Sequence, residues 1–189
     1  MAGIAASDAD VVALLMRQHG DIRNLFDEVE QATGDERRAA FRRLVRLLAV
    51  HETAEEEVIR PFTRRSVPDG EKIVADRLAE EREAEEALAR LDDMDPDDPE
   101  FMPRLQALRL DVMAHARAEE RYEFNHIRRH ADKAQLAAMA SVLRAAEATA
   151  PTHPHPGTES AAKNLTIGPV AAIVDRTRDA VRKAMGKDG

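Results

Sequence analysis

The chain contains no cysteine, no tryptophan and a single tyrosine among 189 residues. Without cysteine there is no disulfide framework, thiolate ligand, iron–sulfur cluster or thiol nucleophile. Aromatics make up 3% of the chain and strand formers are few, which leaves little material for a sheet. No apolar run approaches the roughly 18 residues that read as a membrane span. No glycine-rich phosphate loop is present. The N-terminus, MAGIAASDADVV, lacks the basic start and apolar core of a signal peptide, so a cytoplasmic location is expected. A formal net charge of −8 speaks against nucleic acid as the main partner.

What remains is rich in Ala, Leu, Arg and Glu, with 43% apolar and 34% charged residues. That composition suits helices. A first helix is expected from Ser7 or Asp8, with Val11, Leu14, Leu15, Ile22, Leu25, Phe26 and Val29 on one face. His19 interrupts this stripe in phase. A second helix starts near Asp35; Leu44, Leu48, His51, Glu55, Val58 and Phe62 share its face, and Pro61 followed by SVPDG ends it. A third runs from about Glu71 to Leu91, with an acidic gap at Glu81 and Glu85. A fourth runs from about Glu100 to Arg129, with Leu108, Val112, His115, Glu119, Tyr122 and His126 in helical phase. The expectation is an all-α, antiparallel up-down-up-down four-helix bundle over residues 1–130 with a C-terminal helical extension. The extension divides into an extra helix at 131–150, a Pro-rich linker at 151–164, and an amphipathic helix at 165–189.

Two stretches repeat one spacing. His51 and Glu55 lie four apart in HETAEEEVIRPF, as do His115 and Glu119 in HARAEERYEF. Residues four apart share a helix face, so each pair aims an imidazole and a carboxylate at one spot. Counting about 1.5 Å per residue from the turns places Glu55 and Glu81 at one height, with His19, His51, His115 and Glu119 nearby. Three buried carboxylates repel one another and cost several kcal/mol each unless compensated. Cations would offset that cost, and mixed His/carboxylate donors suit iron, manganese or zinc. A two-metal site is the expectation, with iron preferred.

At these residues the chain resembles the hemerythrin-like, or HHE cation-binding, family, over about residues 8 to 130. The resemblance rests on QHGDIRNLFDEVE around His19, HETAEEEVIRP around His51 and Glu55, and HARAEERYEF around His115 and Glu119. It implies a bundle holding two oxygen-bridged, non-haem iron ions. The third helix departs from the family pattern: AEEREAEEALARL has no histidine, and Glu81 takes its place, with Glu85 the alternative. An anionic ligand in place of imidazole favours Fe(III), which argues for redox cycling with O2 or peroxide rather than reversible oxygen carriage.

Catalase-like peroxide scavenging and redox or oxygen sensing both follow from such a centre. Iron handling without turnover, or a purely structural bundle, are the alternatives. Tyr122 reads either as a core tyrosine or as a proton/electron donor or ligand. His126 reads as structural or as supporting the site, while Glu56, Glu57 and Glu120 read as exposed charge. His153 and His155 fall in the linker. The terminal helix docks on its own bundle or on a second subunit as a homodimer, or meets an acidic partner or anionic lipid.

Overall fold

The computed structural model describes residues 10–149 and 169–186, with the side chains of 149 and 169–174 outside that description. All regular secondary structure among the described residues is helical, and they contain no strand. Helix α1 is Val11–Gln31, and the Asp10 side chain caps it by accepting from the Val12 N–H at 2.9 Å. The expected caps Ser7 and Asp8 lie outside the described residues, as do His153, His155 and the linker.

The second rod comprises α2 (Gly34–Ala54), a π-helical turn at Glu55–Ile59, and α3 (Arg60–Ser66). Of the two expected end signals, SVPDG does close this rod, but Pro61 does not. Pro61 sits in the first turn of α3, and the helix runs on to Ser66. The wide turn just before it accommodates a residue that lacks an N–H and would clash in a regular helix interior. Helix α4 (Gly70–Asp92) follows a tight reversal. A Cβ on Gly70 would lie 2.3 Å from the Thr63 carbonyl oxygen, so only glycine fits there. The fourth rod repeats the plan of the second: α5 (Phe101–Ala118), a π-turn at Glu119–Glu123, and α6 (Phe124–His130). Helices α7 (Lys133–Thr149) and α8 (Pro169–Ala184) complete the described chain.

Two apolar clusters hold the rods together. One joins α1, α2, α4 and α5 through Ile22, Phe26, Leu44, Leu88, Phe101 and Leu105, all buried. The other joins α1, α3, α6 and α7 through Leu14, Leu15, Phe62, Ile127 and Leu143. Between them lies a layer of buried His, Glu and Arg. Helix α8 packs on α2 and α7, with Val181 buried beside Val50 and Ala146. Its Arg178 and Arg182 reach Glu56 and Glu57 on the first π-turn, at 2.8 and 3.1 Å. Those two carboxylates, expected as free surface charge, are therefore paired. No helix among the described residues is long and apolar enough to cross a membrane.

Candidate metal centre

The polar layer is assembled where both long rods switch to π-helical turns. Each turn adds one residue to the helical repeat and rotates everything after it. The Arg60 N–H bonds the Glu55 carbonyl, and the Phe124 N–H bonds that of Glu119, both five residues back. The rotation redirects side chains. A regular helix through His51 and Glu55 turns Val58 inward. Instead Ile59 and Arg60 are fully buried and Val58 is only half-buried. A regular helix through His115 and Glu119 likewise turns Tyr122 inward. Instead Glu123 points in and Tyr122 is 59% exposed, beneath the Arg121 guanidinium. The expectation that Tyr122 shares the face of His115 is thus corrected, and the extra residue is the reason.

Six expected site residues meet in two overlapping groups. His19, His51, Glu55 and Glu119 form the first, and Glu55, Glu81, His115 and Glu119 the second. In each, one donor atom per residue lies within 4.8 Å of all the others, an arrangement that can hold a metal ion. Glu55 and Glu119 belong to both. Glu85 belongs to neither: it is half-buried, its carboxyl is pushed up by burial, and its charged neighbours include Arg178, Glu56, Arg82 and Asp175. His126 lies outside both groups, its ring stacked on His130.

In the first group, neighbours fix the imidazoles. His51 Nδ1 faces Gln18 Oε1 at 2.8 Å, and the Gln18 amide is oriented by donating its Nε2 to Glu147 at 2.7 Å. The proton of His51 therefore sits on Nδ1, leaving a lone pair on Nε2. Burial, with His19 next, holds His51 well below the usual histidine range, so it is neutral. His19 Nδ1 faces Glu120 at 2.8 Å, and its Nε2 lies 3.0 Å from His51 Nε2. Glu120, expected as exposed charge, is thus a partner of this imidazole. The two Nε2 atoms require one positive centre between them. A proton on His19 would meet that need, but Glu55 Oε1 and Glu119 Oε2 are also turned this way and have no hydrogen-bond partner. They lie 3.7 Å from His51 Nε2 and 3.4 Å from His19 Nε2. A metal ion satisfies all four atoms at once, and the residues present fit one.

The second group is occupied differently. Arg60 is 1% exposed, and its Nη2 lies 2.9 Å from Glu55 Oε2, 2.5 Å from Glu81 Oε1 and 2.6 Å from Glu119 Oε1. Its Nη1 donates to Glu123 at 3.1 Å. Burial works against the guanidinium charge, and Glu55, Glu119, Glu81 and Glu123 outweigh it. His115 donates Nδ1 to Glu80 at 2.7 Å and turns Nε2 to Glu119 at 3.1 Å. Burial disfavours its charge too, but Glu119 prevails and pushes it up to about 9. Glu55 is pushed up by burial and then by Glu119. Glu119 is held low, because Arg60 and His115 overcome the opposing effect of burial.

A cavity of about 240 Å³ reaches the layer between α1, α2, α4 and α5. Ile22, Leu48, Leu108 and Val112 form apolar wall, while His19, His51, Glu81 and His115 stand on its polar side. It has room for a few water-sized molecules. Glu52 is also in the wall, and burial, then Glu81 and Glu85, pushes its carboxyl well up. Sequence reasoning missed Gln18, Glu52, Arg60, Glu120 and Glu123. Gln18 and Glu120 each adjoin a residue of the first group, which is the one signal that points to them.

Comparison with known proteins gives two curated relatives. One is named a DNA nickase, from Nostoc sp. (strain PCC 7120 / SAG 25.82 / UTEX 2576); it is 27% identical over 146 residues, 77% of this chain and 41% of that protein. The chain thus spans less than half of that relative. The other is an uncharacterized hemerythrin-like protein of Schizosaccharomyces pombe (strain 972 / ATCC 24843), 27% identical over 138 residues, 72% of this chain and 68% of that protein. No solved structure matches. Residues 10–127, which carry both π-turns and every side chain of the two groups, match the hemerythrin HHE cation-binding domain, and the chain belongs to that family.

Proposed function

We propose that the chain binds non-haem iron in this layer, on an antiparallel up-down-up-down four-helix bundle with a C-terminal extension, and reacts there with O2 or peroxide. The observation that carries the reading is the pair of buried, unpartnered oxygens, Glu55 Oε1 and Glu119 Oε2, turned toward the two imidazoles. The family resemblance implies two oxygen-bridged ions; the reading commits to iron at the first group, where Glu55 Oε1 and Glu119 Oε2 have no partner and the two imidazole Nε2 atoms face each other. Iron there would supply a redox couple and a Lewis acid.

The chain's own residues do the rest. His19 and His51 would hold the ion through Nε2, and Glu55 and Glu119 through the oxygens left without a partner. Gln18 and Glu120 hold the imidazoles in the tautomer that presents those nitrogens. The cavity beside the layer has room for a small ligand.

A sensing role has one observation of its own. Glu56 and Glu57, next to Glu55, are gripped by Arg178 and Arg182 of α8, so a shift at the centre is passed to the last helix. The nickase name stays with the Nostoc protein; a net charge of −8 does not suit a phosphate backbone.

The test is anaerobic loading with Fe(II), metal analysis, then exposure to O2 or peroxide. A visible-spectrum change, and O2 evolved from peroxide, should disappear in His51→Ala. A folded chain that retains no metal sinks the reading. Turnover without a shape change on oxidation favours the enzyme, and the reverse favours the sensor.

A further inference from the structure

The two groups of the layer are not equivalent. Each shared carboxylate splits its oxygens: Glu55 Oε1 and Glu119 Oε2 turn to the first group unpartnered, while Glu55 Oε2 and Glu119 Oε1 are bonded to Arg60 Nη2. Glu81, which belongs only to the second group, gives its Oε1 to the same nitrogen. Three of the four residues that would hold a second ion thus already hold a cation. The fourth, His115, is bonded through Nδ1 to Glu80, and its Nε2, with no hydrogen-bond partner, lies 3.1 Å from Glu119 Oε1, an oxygen that Arg60 already holds.

We propose that this chain binds a single metal ion, at His19, His51, Glu55 and Glu119, and that the Arg60 guanidinium permanently takes the place of a second ion. Glu55 and Glu119 then bridge a metal ion and a guanidinium.

Several observations make the replacement structural rather than incidental. Arg60 is fully buried and bonded to four carboxylates, those of Glu55, Glu81, Glu119 and Glu123. The π-turn that aims it inward also sets its side chain five residues after Glu55, within reach of that carboxylate. Glu123, brought inward by the second π-turn, anchors the other guanidinium nitrogen. A fixed unit charge in place of a dication cannot change oxidation state. Any redox change at the centre then falls on one metal ion, and the third helix needs no histidine.

The inference rests on the proposed metal binding, and the experiment separates the two. The full chain is dialysed anaerobically against Fe(II), and separately Co(II), and metal per chain is measured by mass spectrometry of the metal. Wild type should hold one ion. Glu81→Gln should still hold one, and His19→Ala none. Arg60→Gln should take up a second ion, giving two. Wild type with two ions overturns this inference and leaves the proposed function standing. Wild type with none overturns both. Arg60→Gln folded with one ion overturns the role given to Arg60. If that variant does not fold, wild-type Co(II) protein decides: the electron paramagnetic resonance of an isolated Co(II) supports the inference, and a spin-coupled pair overturns it.

Discussion

The same rods solve burial in two ways along their length. Below the polar layer, α1, α2, α4 and α5 pack Ile22, Phe26, Leu44, Leu88 and Phe101 at ordinary helical spacing, with Phe41 and Phe101 edge-to-face at 5.5 Å. Within the layer the rods bury Glu55, Arg60, Glu81, Glu119 and Glu123, and two of them change helical repeat to do so. The apolar half is stabilised mainly by buried area, with Arg109 paired to Asp27 and Glu30 at its surface, and tolerates a uniform period. The polar half needs charges matched atom by atom, so the backbone is bent to the side chains. The difference teaches that the layer is kept for its chemistry, since buried ion clusters are poor sources of stability next to hydrophobic packing.

The largest expected effect is in the layer. Arg60→Met leaves Glu55, Glu81, Glu119 and Glu123 without their common cation. Removing one partner from a buried pair costs about 3–5 kcal/mol. In chelator-treated protein, thermal unfolding should fall by about 10 °C or more. Added metal should restore part of the loss, because it answers the same carboxylates. An unchanged melting point would mean the guanidinium is not holding the layer.

Next comes the apolar half. Leu44→Ala empties a fully buried site and should cost about 3 kcal/mol. Added metal should recover no more of this loss than it adds to wild type. If metal rescues Leu44→Ala as well as Arg60→Met, the two halves are not energetically separate.

A smaller, pH-dependent effect belongs to Glu123. Burial first, with Arg60 opposing, pushes it up to about 7 from a model-compound value of 4.5. The folded chain therefore binds a proton there that the unfolded chain releases between those values. Stability is lost as pH rises from about 4.5 to 7, by up to roughly 3 kcal/mol at 1.36 kcal/mol per unit. Glu123→Gln removes this slope, so in metal-free protein the variant should gain on wild type from pH 5 to pH 8. Parallel stability curves would break the assignment.

The same division explains what the sequence made legible. The apolar stripes, the height matching of Glu55 with Glu81, and the meeting of His19, His51, His115 and Glu119 follow from 3.6-residue periodicity, which holds up to the π-turns. It fails just after Glu55 and Glu119, where the repeat widens. Arg60 looks like the polar residue before a proline, and Glu123 like exposed charge, until the added residue turns both inward. Gln18 and Glu120 were hidden for another reason: they touch imidazoles of the layer from other helices, and no spacing along one helix records such a contact.

The smallest effect is expected at the residue where the regular period misleads most. Tyr122 is seven residues after His115, and an unbroken helix would put its hydroxyl in the layer. With the π-turn at Glu119–Glu123 it lies on the surface, covered only by Arg121, whose guanidinium is 5.5 Å from the ring centroid. Tyr122→Phe keeps the ring and that stacking, and removes only a hydroxyl that faces solvent. Stability should stay within about 0.5 kcal/mol of wild type. Metal content, visible spectrum and peroxide turnover should be unchanged. Loss of a tyrosine-to-metal absorption band, or a fall in turnover beyond tenfold, would place the hydroxyl inside. It would also mean that the fourth rod keeps the regular helical repeat after Glu119, against the geometry that buries Glu123.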